Sequence, residues 1–180
     1  MGVASGARPV VPPARVADRL AMMPRPATTD DVAAIVRLVN AAYRVEDFFV
    51  RGDRTSEEDV RARLAASNGA FLVMDTPGDD TLAGAVYVEI RGDRGHFAML
   101  AVDPAREKQG IARSLVRAVE AHCLEAGCRH LDIDVVNLRR ELPPFYEKLG
   151  FAPRGTAPFP DTAKLRRAAH VVLMTKPLVT

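Results

Sequence analysis

The chain has 180 residues, with 25 basic and 23 acidic side chains and a formal net charge of +2. Hydrophobic residues make up 48% and charged residues 27%, which is typical of a globular protein and excludes a wholly disordered chain. So small a net charge argues against a nucleic-acid partner. No apolar run approaches the ~20 residues of a membrane-spanning helix, so we expect no membrane partner.

The N-terminal residues differ in composition from the rest of the chain. Residues 1–22 are rich in small residues, proline and arginine, and they lack the continuous apolar stretch of a signal peptide. We therefore expect a flexible N-terminal extension, 1–22, before a single domain, 23–180. The two cysteines, Cys123 and Cys128, are too few for a disulfide framework. Both observations favour a reduced, cytoplasmic setting.

The first predicted elements are two helices and three strands. One helix follows a cap at Thr28 or Thr29, and the next begins at the capping-box pair Thr55 and Glu58. Three apolar runs separated by turn residues then predict an antiparallel meander, at 71–74, 82–90 and 96–102. The last run is apolar throughout, so we expect it to be buried on both faces.

The second half of the chain alternates helices and strands. The pattern predicts a helix at 110–126, a strand at 131–136, a short helix opened by Pro143 and Pro144, and a final strand at 170–174. This order predicts an α/β protein, in which helices pack on a mixed sheet.

A polar loop joins the third strand to the helix predicted at Gly110. The free N–H groups of a helix's first turn can bind an anion. Gly110 and Ala112 are small enough for a phosphate to approach the backbone, and Lys108 and Arg113 add positive charge. A pyrophosphate fits this arrangement; an ordinary strand–loop–helix turn is the alternative interpretation. No Walker, dinucleotide, zinc-protease or serine-hydrolase motif occurs, so a metal has no support.

Two motifs give the chain a family resemblance over residues 24–176. The segment Glu107–Ala112 aligns with the motif Gln/Arg-x-x-Gly-x-Gly/Ala, and Asn137 precedes the segment Phe145–Phe151, which reads Phe-Tyr-x-x-Leu-Gly-Phe. With both motifs in order, the chain resembles the GNAT superfamily of acetyl-CoA-dependent N-acetyltransferases. Glu107 departs from the family pattern, and an acid beside a pyrophosphate is unfavourable unless it points to solvent.

The resemblance implies a fold and an activity. The fold is a central twisted sheet of about six to seven strands flanked by helices. The activity is transfer of an acetyl group from acetyl-CoA, the co-substrate, to a primary amine by direct attack through a tetrahedral intermediate, without a metal. The rival hypothesis is a non-catalytic acetyl-CoA-binding regulatory or interaction module. The acceptor is a small-molecule or peptide amine, and a homodimer is an open alternative.

Three side chains are candidates for the acid–base chemistry. The resemblance assigns Tyr146 as the proton donor to the leaving thiolate; anchoring the short helix is its alternative role. His96 is the candidate base, because histidine titrates near neutral pH. Glu89, on the preceding strand, is the rival base. Each of these two residues could equally be a solvent-facing strand residue.

The resemblance also implies the residues that bind the co-substrate. The backbone N–H of Leu100 would hold the acetyl oxygen, and its strand would pair with the pantetheine arm. Asn137 would hydrogen-bond the cofactor or, alternatively, cap the end of a strand. The full set of expected cofactor-binding residues is Leu100, Ala101, Val102, Lys108, Gln109, Gly110, Ile111, Ala112, Arg113 and Asn137.

Two connecting segments have alternative interpretations. Residues 43–49 could shape the acceptor site, with Glu46 or Asp47 holding a cationic amine, but a loop with core anchors is the favoured interpretation. Residues 155–169 carry a basic cluster and could form a substrate lid or a solvated connection.

Overall fold

The computed structural model describes residues 22–178, so the extension expected at 1–22 lies outside the described residues except for Met22. The described part contains seven strands, which are β1 (Arg25–Pro26), β2 (Gly69–Asp75), β3 (Leu82–Arg91), β4 (Arg94–Val102), β5 (His130–Val136), β6 (Ala152–Pro158) and β7 (His170–Pro177). Its α-helices are α1 (Val32–Ala42), α2 (Glu57–Ala65), α3 (Ile111–Glu125) and α4 (Leu142–Glu147).

The seven strands form one mixed sheet in the order β1-β2-β3-β4-β5-β7-β6. Strands β2, β3 and β4 pair as the predicted antiparallel meander, and β4 and β5 pair in parallel. Helices α1 and α2 pack on one face of the sheet, and α3 and α4 pack on the other. The predicted α/β class and the mixed sheet flanked by helices are therefore confirmed.

Strand β6 was not predicted by its sequence pattern. The segment extends into the stretch 155–169, which the sequence interpretation left as a connection, yet it pairs antiparallel with β7 along Ala152–Pro158. It contains Pro153, Gly155 and Pro158, residues that disfavour a central strand. Because β6 lies at the edge of the sheet and is mostly exposed, these prolines interrupt no second ladder.

The two N-terminal helices begin at capped residues. Thr28 caps the turn before α1, where its hydroxyl accepts a hydrogen bond from the Asp30 N–H and its own N–H donates to Asp31. For α2 the predicted capping box is wrong by one residue. The cap is Ser56, which accepts from the Asp59 N–H, whereas the hydroxyl of Thr55 donates to the Asp59 carboxylate.

Helix α3 lies unusually close to the sheet at two glycines. A Cβ atom at Gly84 would lie 2.7 Å from Ile111 Cγ2, and one at Gly95 would lie 2.3 Å from Cys123 Sγ. Larger residues at these two positions would push α3 outward. Gly84 on β3 therefore sets how close the start of α3 lies to the sheet, and Gly95 on β4 sets how close its C-terminal end lies.

Strands β4 and β5 are paired only at one end. Their parallel pairing covers residues 94–96 and 130–132, and the strands then diverge. Arg94 clamps the paired end, because its Nε and Nη2 atoms each donate to the Asp132 carboxylate at 2.6 Å, and Nη2 also donates to Thr175 Oγ1 at 2.9 Å. The sheet therefore opens between the C-terminal halves of β4 and β5.

This opening explains why β4 is less buried than its apolar sequence predicts, although its residues pack into the cores on both faces of the sheet. Phe97, Met99 and Ala101 are buried, but the residues between them are only half-buried. The half-buried residues line clefts where β4 has no neighbouring strand. A continuous apolar run is typical of a strand that is covered on both faces of the sheet. Here the run belongs to a strand that also has one edge without a neighbouring strand.

The clamp between Arg94 and Asp132 should make a measurable contribution to stability. We expect Asp132→Asn to lower the free energy of unfolding by about 1–3 kcal/mol, because a part-buried guanidinium loses charge-assisted hydrogen bonds. Burial raises the pKa of Asp132, but the hydrogen bonds from Arg94 and Thr175 lower it below its usual value overall. The stabilisation is therefore present above about pH 4 and lost as the pH falls further.

Urea unfolding at several pH values measures this effect. The matched control is Asp93→Asn, which removes the partner of Arg129 in an exposed pair. We expect no measurable change for the control. Equal effects of the two substitutions would contradict the assignment of the clamp.

Candidate active site

Two clefts meet at the opening between β4 and β5. The larger cleft, about 790 Å³, lies toward the start of α3 and α4. The smaller cleft, about 430 Å³, extends over β3, β4 and β5 on the other side. The residues that line both clefts are Tyr43, Glu46, Leu100, Leu142 and Tyr146. Molecules bound in the two clefts would therefore meet beside these five residues.

The loop before α3 presents free backbone donors to the larger cleft. Gly110, the N-cap of α3, has a φ of 81° and contributes no side-chain cap. Within residues 22–178, the N–H groups of Ile111, Ala112 and Arg113 have no hydrogen-bond partner. Lys108 and Arg113 line the same cleft. Free amides, the helix dipole and two cations together make a site for an anion.

Not every predicted cofactor residue lines the larger cleft. Seven of them line it, namely Leu100, Val102, Lys108, Gly110, Ile111, Ala112 and Arg113. The side chains of Ala101 and Gln109 do not contribute to it, and Ala101 is buried in the core under α1.

Asn137 lies outside the linings of both clefts. Its side-chain oxygen accepts a hydrogen bond of 2.9 Å from the His170 N–H, so it holds the start of β7 against the end of β5. This contact matches the alternative role given to Asn137, capping the end of a strand.

Strand β4 contains a bulge where the two clefts meet. Ala101 pairs with Ala85 and Ala98 pairs with Tyr87, so two residues of β4 stand opposite one residue of β3. Met99, with a φ of 53°, turns its side chain into the core, and Leu100 lines both clefts. A bulge leaves one residue out of the ladder, which makes a backbone group available to a bound molecule.

Tyr146 is held at the meeting point of the clefts by aromatic packing. Its ring contacts Phe97, Phe145 and Phe151, with centroid distances of 6.0, 5.1 and 5.8 Å. Only 4% of the residue is exposed, and it lines both clefts. Burial raises the pKa of Tyr146 far above its usual value. The phenol therefore stays protonated near neutral pH and can donate a proton.

The two candidate bases face each other in the smaller cleft. His96 on β4 pairs with Glu89 on β3, and neither lines the larger cleft. Glu89 accepts hydrogen bonds from Arg91 at 3.0 Å and from Asn68 at 3.2 Å, and the bond from Arg91 lowers its pKa. The Glu89 carboxylate is therefore held by more hydrogen bonds than the His96 imidazole.

His96 has a buried ring nitrogen available. Its Nε2 atom lies 3.4 Å from Asp134 Oδ2 but makes no hydrogen bond of good geometry. The imidazole is nevertheless close enough to lower the pKa of the Asp134 carboxyl group.

Glu46 is a functional candidate that the sequence interpretation placed second to a structural role. The segment 43–49 does supply a core anchor, Phe49, but it also buries Glu46 between the clefts. Arg139 donates to Glu46 at 3.3 Å, and burial raises the pKa of Glu46 although Arg54 and Arg139 lower it. No sequence signal paired Glu46 with Arg139, because 93 residues separate them.

The connection after β6 forms a wall of the smaller cleft. Phe159, Pro160 and Asp161 line it. Two backbone hydrogen bonds join this connection to the chain after α1, from Arg166 to Phe49 at 2.7 Å and from Arg51 to Lys164 at 2.9 Å. The segment interpreted as a lid or a solvated connection is thus held by its backbone to the chain after α1.

Comparison with known proteins agrees with the fold and the motifs. The model of the acetyltransferase (GNAT) family matches residues 34–151, more than half of the chain. Mycothiol acetyltransferase of Nocardia farcinica (strain IFM 10152) is 28% identical over 155 residues, which cover 82% of this chain and 50% of that protein. The homologous enzyme of Clavibacter sepedonicus is 37% identical over 92 residues, 51% of this chain and 28% of that protein. The chain thus spans half or less of the length of these relatives.

Solved structures share the fold at low sequence identity. The ribosomal-protein-S18-alanine N-acetyltransferase of Escherichia coli has a TM-score of 0.71 at 18% identity, over 88% of this chain and 94% of that chain. PaiA N-acetyltransferase of Thermoplasma acidophilum, in complex with coenzyme A, has a TM-score of 0.70 at 16% identity, over 86% and 97%.

The chain belongs to the acetyltransferase (GNAT) family. In residues 22–178, no helix is long and apolar enough to cross a bilayer. The same residues contain no group of three or more metal-ligating side chains placed to hold a metal ion.

The anion site before α3 can be tested with inorganic pyrophosphate. Glu107 lines the larger cleft beside the free amides. We expect Glu107→Gln to tighten pyrophosphate binding about three- to tenfold at low ionic strength, because it removes a negative charge from the site. Isothermal calorimetry measures the Kd. Glu125→Gln, at the far end of α3, is the matched control and should leave the Kd unchanged. Unchanged binding by Glu107→Gln would show that this acid does not face the anion.

Proposed function

We propose that this protein transfers an acetyl group from acetyl-CoA to a primary amine. The observation that carries the proposal is the meeting of two clefts at one phenol, that of Tyr146. The larger cleft has the anion site that a coenzyme A diphosphate needs, and the smaller cleft has room for an amine. Acetyl-CoA supplies the activated thioester, and no metal takes part.

The residues of the larger cleft fit the co-substrate. Its diphosphate lies at the free N–H groups of Ile111, Ala112 and Arg113, with Lys108 beside it. The pantetheine arm runs along Leu100 and Val102, where β4 has lost its neighbouring strand. The thioester then lies near the bulge of β4 and Tyr146.

The proposed reaction is direct attack on the thioester. A primary amine is mostly protonated at pH 7 and must lose a proton before it can attack. His96, which lines the smaller cleft with the amine, receives this proton. The backbone N–H of Leu100 stabilises the oxyanion of the tetrahedral intermediate. Tyr146 donates its proton to the leaving thiolate. Glu89 is the rival base, and its hydrogen bonds to Arg91 and Asn68 weigh against it.

The class of acceptor is a small-molecule or peptide amine. The relatives point to both kinds: two are mycothiol acetyltransferases, and one structural neighbour is named for acetylating an alanine of a ribosomal protein. The rival hypothesis, a regulatory module that binds acetyl-CoA without turnover, gives no role to a phenol between two clefts.

The proposal is tested by coenzyme A release with a panel of amines. We expect release with at least one amine, and we expect Tyr146→Phe to lower kcat roughly 10²-fold while the acetyl-CoA Kd stays unchanged, because only the proton donor is lost. Tyr87→Phe, in the smaller cleft alone, is the control and should change kcat little. Binding of acetyl-CoA with no acetylation of any amine would favour the regulatory module.

The base is assigned by comparing two variants on the accepted amine. We expect His96→Gln to lower kcat/KM roughly 10²-fold and Glu89→Gln to lower it less than about threefold. The loss in His96→Gln should shrink with amines of low pKa, since these need no base. The opposite order of effects would assign the base to Glu89. Small effects in both variants would exclude both residues.

A further inference from the structure

One arginine of the smaller cleft is not part of an ion pair. Within residues 22–178, Arg54 lines this cleft and forms no ion pair. Among the other charged residues of the lining, Glu46 pairs with Arg139, Arg63 with Asp59, Glu89 with Arg91, and Asp161 with Lys164. Asp134 lies 3.4 Å from the Nε2 atom of His96. Arg54 lies close enough to Glu46 to lower the pKa of that carboxyl group, but its N–H donors bond to no carboxylate of the described residues.

The backbone that carries Arg54 is fixed by a single amide side chain. The Oδ1 atom of Asn40, near the end of α1, accepts from the N–H groups of Arg54 at 2.9 Å and Thr55 at 3.0 Å. Its Nδ2 atom donates to the Thr55 carbonyl at 3.1 Å. Three hydrogen bonds from one residue hold this part of the connection between α1 and α2, so the start of the Arg54 side chain has a defined position.

The guanidinium of Arg54 is placed by an aromatic ring. Its central carbon lies 5.0 Å from the ring centroid of Tyr43, and that ring lines both clefts. Stacking covers a face of the guanidinium and leaves the N–H donors at its edge for a ligand. These donors match the two oxygens of a carboxylate in a bidentate contact.

We propose that Arg54 binds an anionic group of the acceptor, so that the acceptor is an amine that also carries an acid, in the simplest case a carboxylate. This inference rests on the proposed acetyl transfer. The amine lies where the clefts meet, and the acid lies about one aromatic ring away, beside Arg54. Few bonds therefore separate the two groups, as in a short amino acid.

Matched pairs of acceptors test the inference. Each pair contains a short amino acid, with its amine at the α, β or γ position, and its carboxamide, which keeps the amine and the shape but has no charge. For the best-accepted pair, we expect the wild-type protein to prefer the acid at least tenfold in kcat/KM. We expect Arg54→Gln to abolish the preference by lowering kcat/KM for the acid alone, and Arg54→Lys to restore part of it.

Two further variants separate anion binding from a general loss of structure. Arg44→Gln removes another exposed arginine of the same connection, which pairs with Asp47 and Asp53 and does not line the smaller cleft; its acid-to-amide ratio should match the wild type. Asn40→Ala releases the backbone of Arg54 and should reduce the ratio through a higher KM for the acid. A merely destabilising change would lower activity on both acceptors equally.

The outcomes distinguish this inference from the proposed function. If amines are acetylated but acids and carboxamides react equally well, or if Arg54→Gln lowers both alike, the role of Arg54 is wrong and acetyl transfer stands. If acetyl-CoA binds and no amine is acetylated, the proposed function fails, and the acceptor assigned here fails with it.

Discussion

The divergence of β4 and β5 is the constraint on which both clefts depend. Three residue pairs hold the strands together, and the hydrogen bonds from Arg94 to the part-buried Asp132 close that end. Beyond the clamp, β4 and β5 no longer form hydrogen bonds to each other. Backbone groups that would be paired in a continuous sheet therefore face open space. The hydrogen bonds missing between β4 and β5 leave an opening that connects the two faces of the sheet.

The opening brings together groups that a closed sheet would keep apart. Tyr146 belongs to the hydrophobic core on the side of α3 and α4, whereas Tyr43 packs with the core on the side of α1. Both residues line both clefts. Aromatic side chains pack around the phenol ring of Tyr146. Apolar contacts thus fix the position of the Tyr146 ring, and its phenol oxygen is left to interact with a bound molecule.

The electrostatics of the smaller cleft are those of a largely neutralised surface. Nearly all of its carboxylates and cations are paired within the protein, so they orient one another and attract free ions weakly. Against this background Arg54 offers the N–H donors of a guanidinium that forms no ion pair, although it lies close enough to Glu46 to lower the pKa of that carboxyl group. The free amides before α3 provide the matching anion site of the larger cleft.

By itself, the sequence determined the helices and strands with clear periodicity, the α/β class, the loop before α3 and the position of Tyr146 in a family motif. These are local properties, since spacing, caps and glycines act within a few residues. Strand β6 and the cap of α2 depended on neighbours: an edge position tolerates prolines, and Ser56 rather than Thr55 meets the free N–H groups. Only the tertiary structure decided which charges face each other, because Glu46 and Arg139, or Arg94 and Asp132, come from distant segments. Pairing across such separations follows from the packing of whole elements, which no local pattern encodes.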